Sequence, residues 1–203
     1  MPPREEVFLP FESPRDHPPP LVAVRGQTIA SSMKTLHKRD LFDAYRGNLT
    51  PTDREQLLGL TASTWAPLAL ADAHYRACDR LALDRTTLES IGADAGLALN
   101  ETAVSVLIKL SKEAGATPWT VLTRGNKLMH RSWEGSTVGV FKLGPKEARF
   151  EWIGQPLAVI PYVRVAFCGF LRSVLELFAT RVFVKDIPAC CTRTTLGYRC
   201  SWV

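Results

Sequence analysis

The apolar residues of this chain change period once, near residue 135. From Arg25 to about Gly135 they recur every three or four positions, as in Ile29, Met33 and Leu36, which is the spacing of one helix face. Beyond it, Ser136 to Leu143 and Glu147 to Ile153 alternate as two strands joined by Gly144-Pro145-Lys146, a hairpin connection. Pro161 to Ala179 returns to the helical period, and Arg181 to Lys185 and Tyr198 to Val203 read as a second pair of strands. The order predicts an α+β fold. Its helical N-terminal half packs on an antiparallel sheet made of two C-terminal hairpins flanking a long helix.

Local signals place the helices more finely. Asp40 to Arg46 is closed by Gly47-Asn48, residues that tolerate a left-handed C-terminal cap. Thr50-Pro51-Thr52-Asp53 supplies a hydroxyl cap and an early acid before Leu57-Leu58. Further helices are predicted over Pro67 to Leu83, Thr86 to about Leu99 and Glu101 to Ala114, the last stopped by Gly115. Thr117-Pro118 opens another, with Thr as cap and Pro at the first helical position, running to about Trp133. In the final strand Tyr198, Cys200 and Trp202 share one face, expected to meet the core, and Arg199 and Ser201 share the other.

Residues 1–20 stand apart. They hold Pro2, Pro3, Pro10, Pro14, Pro18, Pro19 and Pro20 and cannot propagate a helix or a central strand. They read as an extended arm, dispensable for folding, in front of a single domain over 21–203. Its segment Val7-Phe8-Leu9-Pro10-Phe11 is apolar enough to dock on the domain or to be offered to a protein partner. No apolar run approaches 18 residues, so no membrane association is expected. The mixed-charge N-terminus lacks a secretory apolar region, and five cysteines are an odd number. Both point to a cytoplasmic protein with reduced thiols. A net charge of +5 permits a nucleic-acid partner without requiring one.

The C-terminal third carries a resemblance. Phe167-Cys168-Gly169-Phe170-Leu171 on a helix, the strand Arg181-Val182-Phe183-Val184-Lys185, Cys191 and the closing Gly197-Tyr198-Arg199-Cys200-Ser201-Trp202 resemble the end of 4-vinyl-reductase-type ligand-binding domains. The wider chain, from Arg25-Gly26 through Ala44-Tyr45-Arg46-Gly47-Asn48 to the closing Cys-x-Trp, is similar to a myxobacterial paralogous family of unknown function. That family is distantly related to a superfamily that includes haem–nitric-oxide-binding domains and vesicle-tethering subunits. The resemblance implies a sensor-like α+β fold that encloses an apolar pocket and self-associates as a homodimer. It also implies a metal site, because some relatives hold a structural Zn²⁺ with three cysteines and an acid; the matching positions are Cys168, Asp186, Cys191 and Cys200.

The residues themselves argue against that zinc site. Cys168 falls on the stripe Arg164, Cys168, Arg172, Glu176, the polar and therefore solvent-facing side of its helix. Cysteines serving as small buried hydrophobes explain the composition equally well, and no cofactor is expected. Flanked by two arginines, Cys168 could alternatively be a reactive thiol, the basis of an enzymatic reading. His74 and His130 are formal haem-ligand candidates without an accompanying motif. Arg124, Lys127 and Arg131 form a basic helix face that could contact phosphates, the basis of a DNA- or nucleic-acid-associated regulator. The large aromatics are candidates for an apolar pocket, namely Trp65, Tyr75, Trp119, Trp133 and Trp152. No phosphate loop, GxSxG or HExxH is present. The expectation is a non-enzymatic sensory or scaffold domain that binds a small apolar ligand or a protein partner.

Overall fold

The computed structural model describes residues 6–98 and 115–203. The helix expected over Glu101 to Ala114 lies outside the described residues. Helices α1 (Gly26–Lys38), α2 (Phe42–Gly47), α3 (Pro51–Leu58), α4 (Leu68–Asp79) and α5 (Arg85–Ala98) fill the first half. Thr50 caps α3 as its sequence dictates, its side chain accepting from the Asp53 N–H at 3.1 Å.

Five strands, β1 (Glu6–Leu9), β5 (Thr137–Gly144), β6 (Glu147–Ile153), β8 (Thr195–Trp202) and β7 (Val182–Asp186), form one antiparallel sheet in that spatial order. Helix α8 (Pro161–Glu176) links its two hairpins. The fold class is thus the expected α+β arrangement. A second sheet was not legible: β2 (Ala23–Arg25) lies between β3 (Trp65–Pro67) and β4 (Trp133–Glu134), each pair too short to show a period.

Three local expectations are corrected. The helix predicted from Thr117 to Trp133 is two short ones, α6 (Pro118–Leu122) and α7 (Gly125–Met129). The chain bends between them so that Asn126, fully enclosed, can serve β5 as a surrogate strand. Its Nδ2 donates to the Val138 carbonyl at 3.1 Å, and its Oδ1 accepts from the Val138 N–H at 2.7 Å and from Thr137 Oγ1 at 3.0 Å. Cys168 is buried, because the polar stripe on α8 faces α5 and β7 instead of solvent. The final strand is longer than expected and begins at Thr195, three residues before Tyr198.

Helices α5 and α8 pack unusually closely. A Cβ on Gly92 would overlap the Ala166 carbonyl, and one on Gly169 would overlap the Glu89 carbonyl, so glycine is required at both crossings. Ion pairs line the same seam: Arg85 with Glu89 and Asp186 at 2.9 and 2.7 Å, and Arg172 with Glu89 at 3.2 Å. The N-terminal arm crosses the opposite face of the sheet. β1 pairs with β5, Phe11 sits over Gly139, the Glu12 N–H donates to Thr137 Oγ1, and Arg15 pairs with buried Glu151 at 2.8 Å. Among the described residues no helix is long and apolar enough to cross a membrane.

Candidate functional site

Between α5, α8 and the inner face of the sheet lies a cavity of about 600 Å³. The five-stranded sheet contributes Phe150 and Trp152, β4 of the small sheet contributes Trp133, and α8 contributes Val163, Ala166, Phe167, Phe170 and Leu171. Ile91 and Ala95 close it from α5, Leu122 and Met129 from α6 and α7. Strand alternation puts Phe150 and Trp152 on this face and Arg149 and Glu151 on the other, so the period of two in β6 builds one wall directly. Phe167 is the hub of the aromatic lining, with ring centroids 4.9 Å from Trp152, 5.3 Å from Phe170, 5.4 Å from Tyr198 and 6.0 Å from Phe150. The more exposed part of the wall is polar, with Arg25, Gln27, Ser63 and Arg131.

Of the five aromatic pocket candidates, Tyr75, Trp133 and Trp152 line this cavity. The other two serve elsewhere. Trp65 lies under the Arg25 guanidinium at 4.6 Å, and Trp119 packs edge-on against Trp202 at 5.0 Å while its Nε1 donates to the Pro145 carbonyl. A period alone cannot tell these cases apart, because both kinds of ring are large and apolar.

Two polar features of the site carry no motif in the sequence. The first is Gln155, fully enclosed in the cavity wall. Its backbone N–H donates to the Thr194 carbonyl at 2.9 Å, and its side-chain Oε1 caps the following 3-10 turn (Pro156–Val159) by accepting from the Leu157 N–H at 3.1 Å. That bond settles the amide orientation, since only the oxygen can face an N–H donor. The Nε2 group is thereby left buried with no acceptor among the described residues. Such a group costs about 1–3 kcal/mol unless something pairs with it.

The second feature is a hydrogen-bonded group behind the α4 side of the cavity. The Tyr45 hydroxyl is 2.8 Å from His74 Nδ1, and Ser32 Oγ, on the cavity wall, is 3.1 Å from His74 Nε2. Burial pushes the His74 pKa down to about 3, so the ring is neutral at ordinary pH and accepts at one nitrogen while donating at the other. Burial likewise raises the Tyr75 and Tyr162 phenols and the Cys78 thiol, so all three stay protonated.

The metal set is not assembled. Among the described residues no three His, Cys, Asp or Glu side chains are placed to hold a metal ion. Asp186 is held by Arg85 at 2.7 Å, with Arg164 at 3.7 Å, and although burial works to raise its pKa these cations bring it below the usual value. Burial drives the Cys168 thiol up to about 12, against a smaller lowering by Arg85, and the Cys200 thiol also to about 12. Protonated, enclosed thiols neither bind zinc readily nor attack as nucleophiles. The reactive-thiol expectation for Cys168 is corrected on the same ground. Cys191 is half-buried, its sulfur 3.8 Å from the Gly197 carbonyl. Arg124, Lys127 and Arg131 are all exposed, but the break at Arg124 removes the continuous helix face they were expected to share.

Haem iron is held in proteins by His, Cys, Met or Tyr. Of these types the described wall offers Tyr75, Met129 and Tyr162, and no His or Cys. Both nitrogens of His74 are engaged by hydroxyls, and His130 is exposed, 3.4 Å from Glu12. Residues 99–114 contain none of the four types. A histidine-ligated haem therefore does not fit the residues present, whereas a large apolar body does.

No family model and no curated protein sequence matches the chain. Solved structures do. A mutant structure of the T. tengcongensis H-NOX aligns with a TM-score of 0.59 at 11% identity, over 88% of this chain and 97% of that one. An oxygen-binding H-NOX domain related to soluble guanylate cyclases aligns at 0.55 and 11% identity, over 88% and 94%. An H-NOX structure described as probing the function of haem distortion aligns at 0.58, again at 11% identity, over 88% and 94%. These neighbours are haem proteins, which overturns the expectation of a fold without a cofactor. At this identity the likeness is one of architecture: the chain has the fold of H-NOX domains.

Proposed function

We propose that this chain is a ligand-binding domain of the sensor type, whose interior cavity takes a large, mainly apolar molecule. The observation that carries the reading is the cavity itself, about 600 Å³ and walled by Trp133, Phe150, Trp152, Phe167 and Phe170. That volume lies within the range of small-molecule sites, which are mostly apolar with a few placed polar groups. The H-NOX fold supports a sensing role, since the neighbours include an oxygen-binding domain related to soluble guanylate cyclases.

The test is native mass spectrometry of the protein as purified, followed by titration with 1-anilinonaphthalene-8-sulfonate and, separately, with haemin. A retained small molecule, or saturable one-to-one binding of either probe, is expected. Ala95→Trp, which fills the cavity from α5, should weaken binding at least about tenfold. Haemin binding with a discrete absorption band would identify a tetrapyrrole as the occupant. The same spectra report whether the chain forms the homodimer that the reading includes. No retained mass, no probe binding and no effect of Ala95→Trp would remove the proposal.

A further inference from the structure

We infer that Gln155 is the polar anchor of the cavity, and that the occupant carries a hydrogen-bond-accepting oxygen, a carbonyl or ether, on its apolar body. The inference rests on the ligand-binding reading above and narrows the class of ligand. Gln155 is locked from three sides. Gly154, at φ +75°, turns the chain; the Gln155 N–H is tied to Thr194; and Oε1 is committed to Leu157. The side chain cannot swing away to pair its Nε2 elsewhere without uncapping the 3-10 turn. Gln155 thus belongs to a mainly apolar wall, is closed off from solvent, and has an Nε2 with no acceptor among the described residues.

Buried polar groups in native proteins are paired by protein, water or ligand, and the exceptions mark places where a partner arrives from outside. Here the partner must be an acceptor, because Nε2 can only donate. It must also tolerate apolar surroundings, because Phe150, Trp152 and Leu157 share the wall. An anion is the weaker match: an amide donor offers no charge to offset desolvation, and the cations on the wall, Arg25 and Arg131, are in its more exposed part. A neutral oxygen on a flat, apolar skeleton meets each condition.

The experiment compares two probes of one shape, 9-fluorenone with a carbonyl and fluorene without it, on the full chain by fluorescence or calorimetric titration. Wild type is expected to bind fluorenone roughly tenfold more tightly, the factor corresponding to one well-made hydrogen bond to a donor otherwise left unpaired. Gln155→Leu and Gln155→Met should bring the ratio close to one. Because the ratio is taken within each protein, a general loss of stability in a variant cancels. Equal affinities in wild type, or an undiminished preference in both variants, would overturn the anchor while leaving the cavity reading intact. Failure of both probes to bind wild type would overturn the cavity reading, and the anchor with it.

Discussion

The Tyr45 hydroxyl lies 2.8 Å from His74 Nδ1 inside a region that water does not reach. His74 is held neutral there, with its pKa lowered to about 3 by burial. The unfolded chain binds the proton near 6.5, so between those values unfolding takes up a proton and stability rises with pH. The contribution is fully present above about pH 6.5 and is lost as the pH falls toward 3, on the order of 5 kcal/mol across the window. Denaturant midpoints at pH 7.5 and 4.5 should show the loss. His74→Gln, which still donates and accepts but does not titrate, should flatten the difference.

The terminal strand is expected to be indispensable. Trp202 is buried against Trp119, and β8 is paired on both sides, by β6 and β7. Trp202→Ala should cost roughly 3–5 kcal/mol in chemical denaturation, the usual figure for a large aromatic removed from a core. Truncation after Arg199 should abolish the cooperative transition. A normal melting curve from the truncated chain would mean that β8 contributes little.

For the N-terminal arm, the structure leads us to expect the opposite of dispensability. Phe8 packs on Trp119 with ring centroids 4.4 Å apart, and Phe11 covers Gly139. Deleting residues 1–11 strips these contacts and opens the edge of β5 to other chains. Light scattering should register association, and the melting temperature should fall by several degrees, about 2–4 °C for each kcal/mol lost in a chain of this size.

Thiol reactivity should divide the cysteines. Cys78, Cys168 and Cys200 are buried, while Cys190 and Cys191 are half-buried. A disulfide reagent at pH 7.5 should reach Cys190 and Cys191 promptly and the other three only after denaturation. Prompt modification of Cys168 would contradict its enclosure between α5, α8 and β7.

Much of this architecture could be read from the sequence, for identifiable reasons. Helix α8 and strands β5, β6 and β8 carry long, unbroken periods, and the Thr50 cap has a local chemical cause. The fate of Cys168 was not legible. A polar stripe signals solvent only when no oppositely charged element covers it, and Glu89 and Asp186 do so from 79 and 18 residues away in the chain. The break at Arg124 was hidden for a similar reason, because Asn126 satisfies β5 rather than its own helix. Part of the cavity wall was visible as an excess of rings. Gln155 was not, since an orphaned amide is defined by its surroundings and leaves no trace in composition.

The backbone contact of α5 with α8 has a bearing on selectivity. With Gly92 against the Ala166 carbonyl and Gly169 against the Glu89 carbonyl, that seam has already reached its minimum separation and admits no larger side chain. Adjusting the chamber to a broader or narrower guest must therefore fall to the opposite wall. There Phe150 and Trp152 stand on β6, whose backbone position is set by β5 and β8 on either side, and exchanging one ring for a smaller group changes the bore without moving the frame. Helix pair and sheet thus divide the labour: one fixes the height of the chamber, and the other sets what shape will pass beneath it.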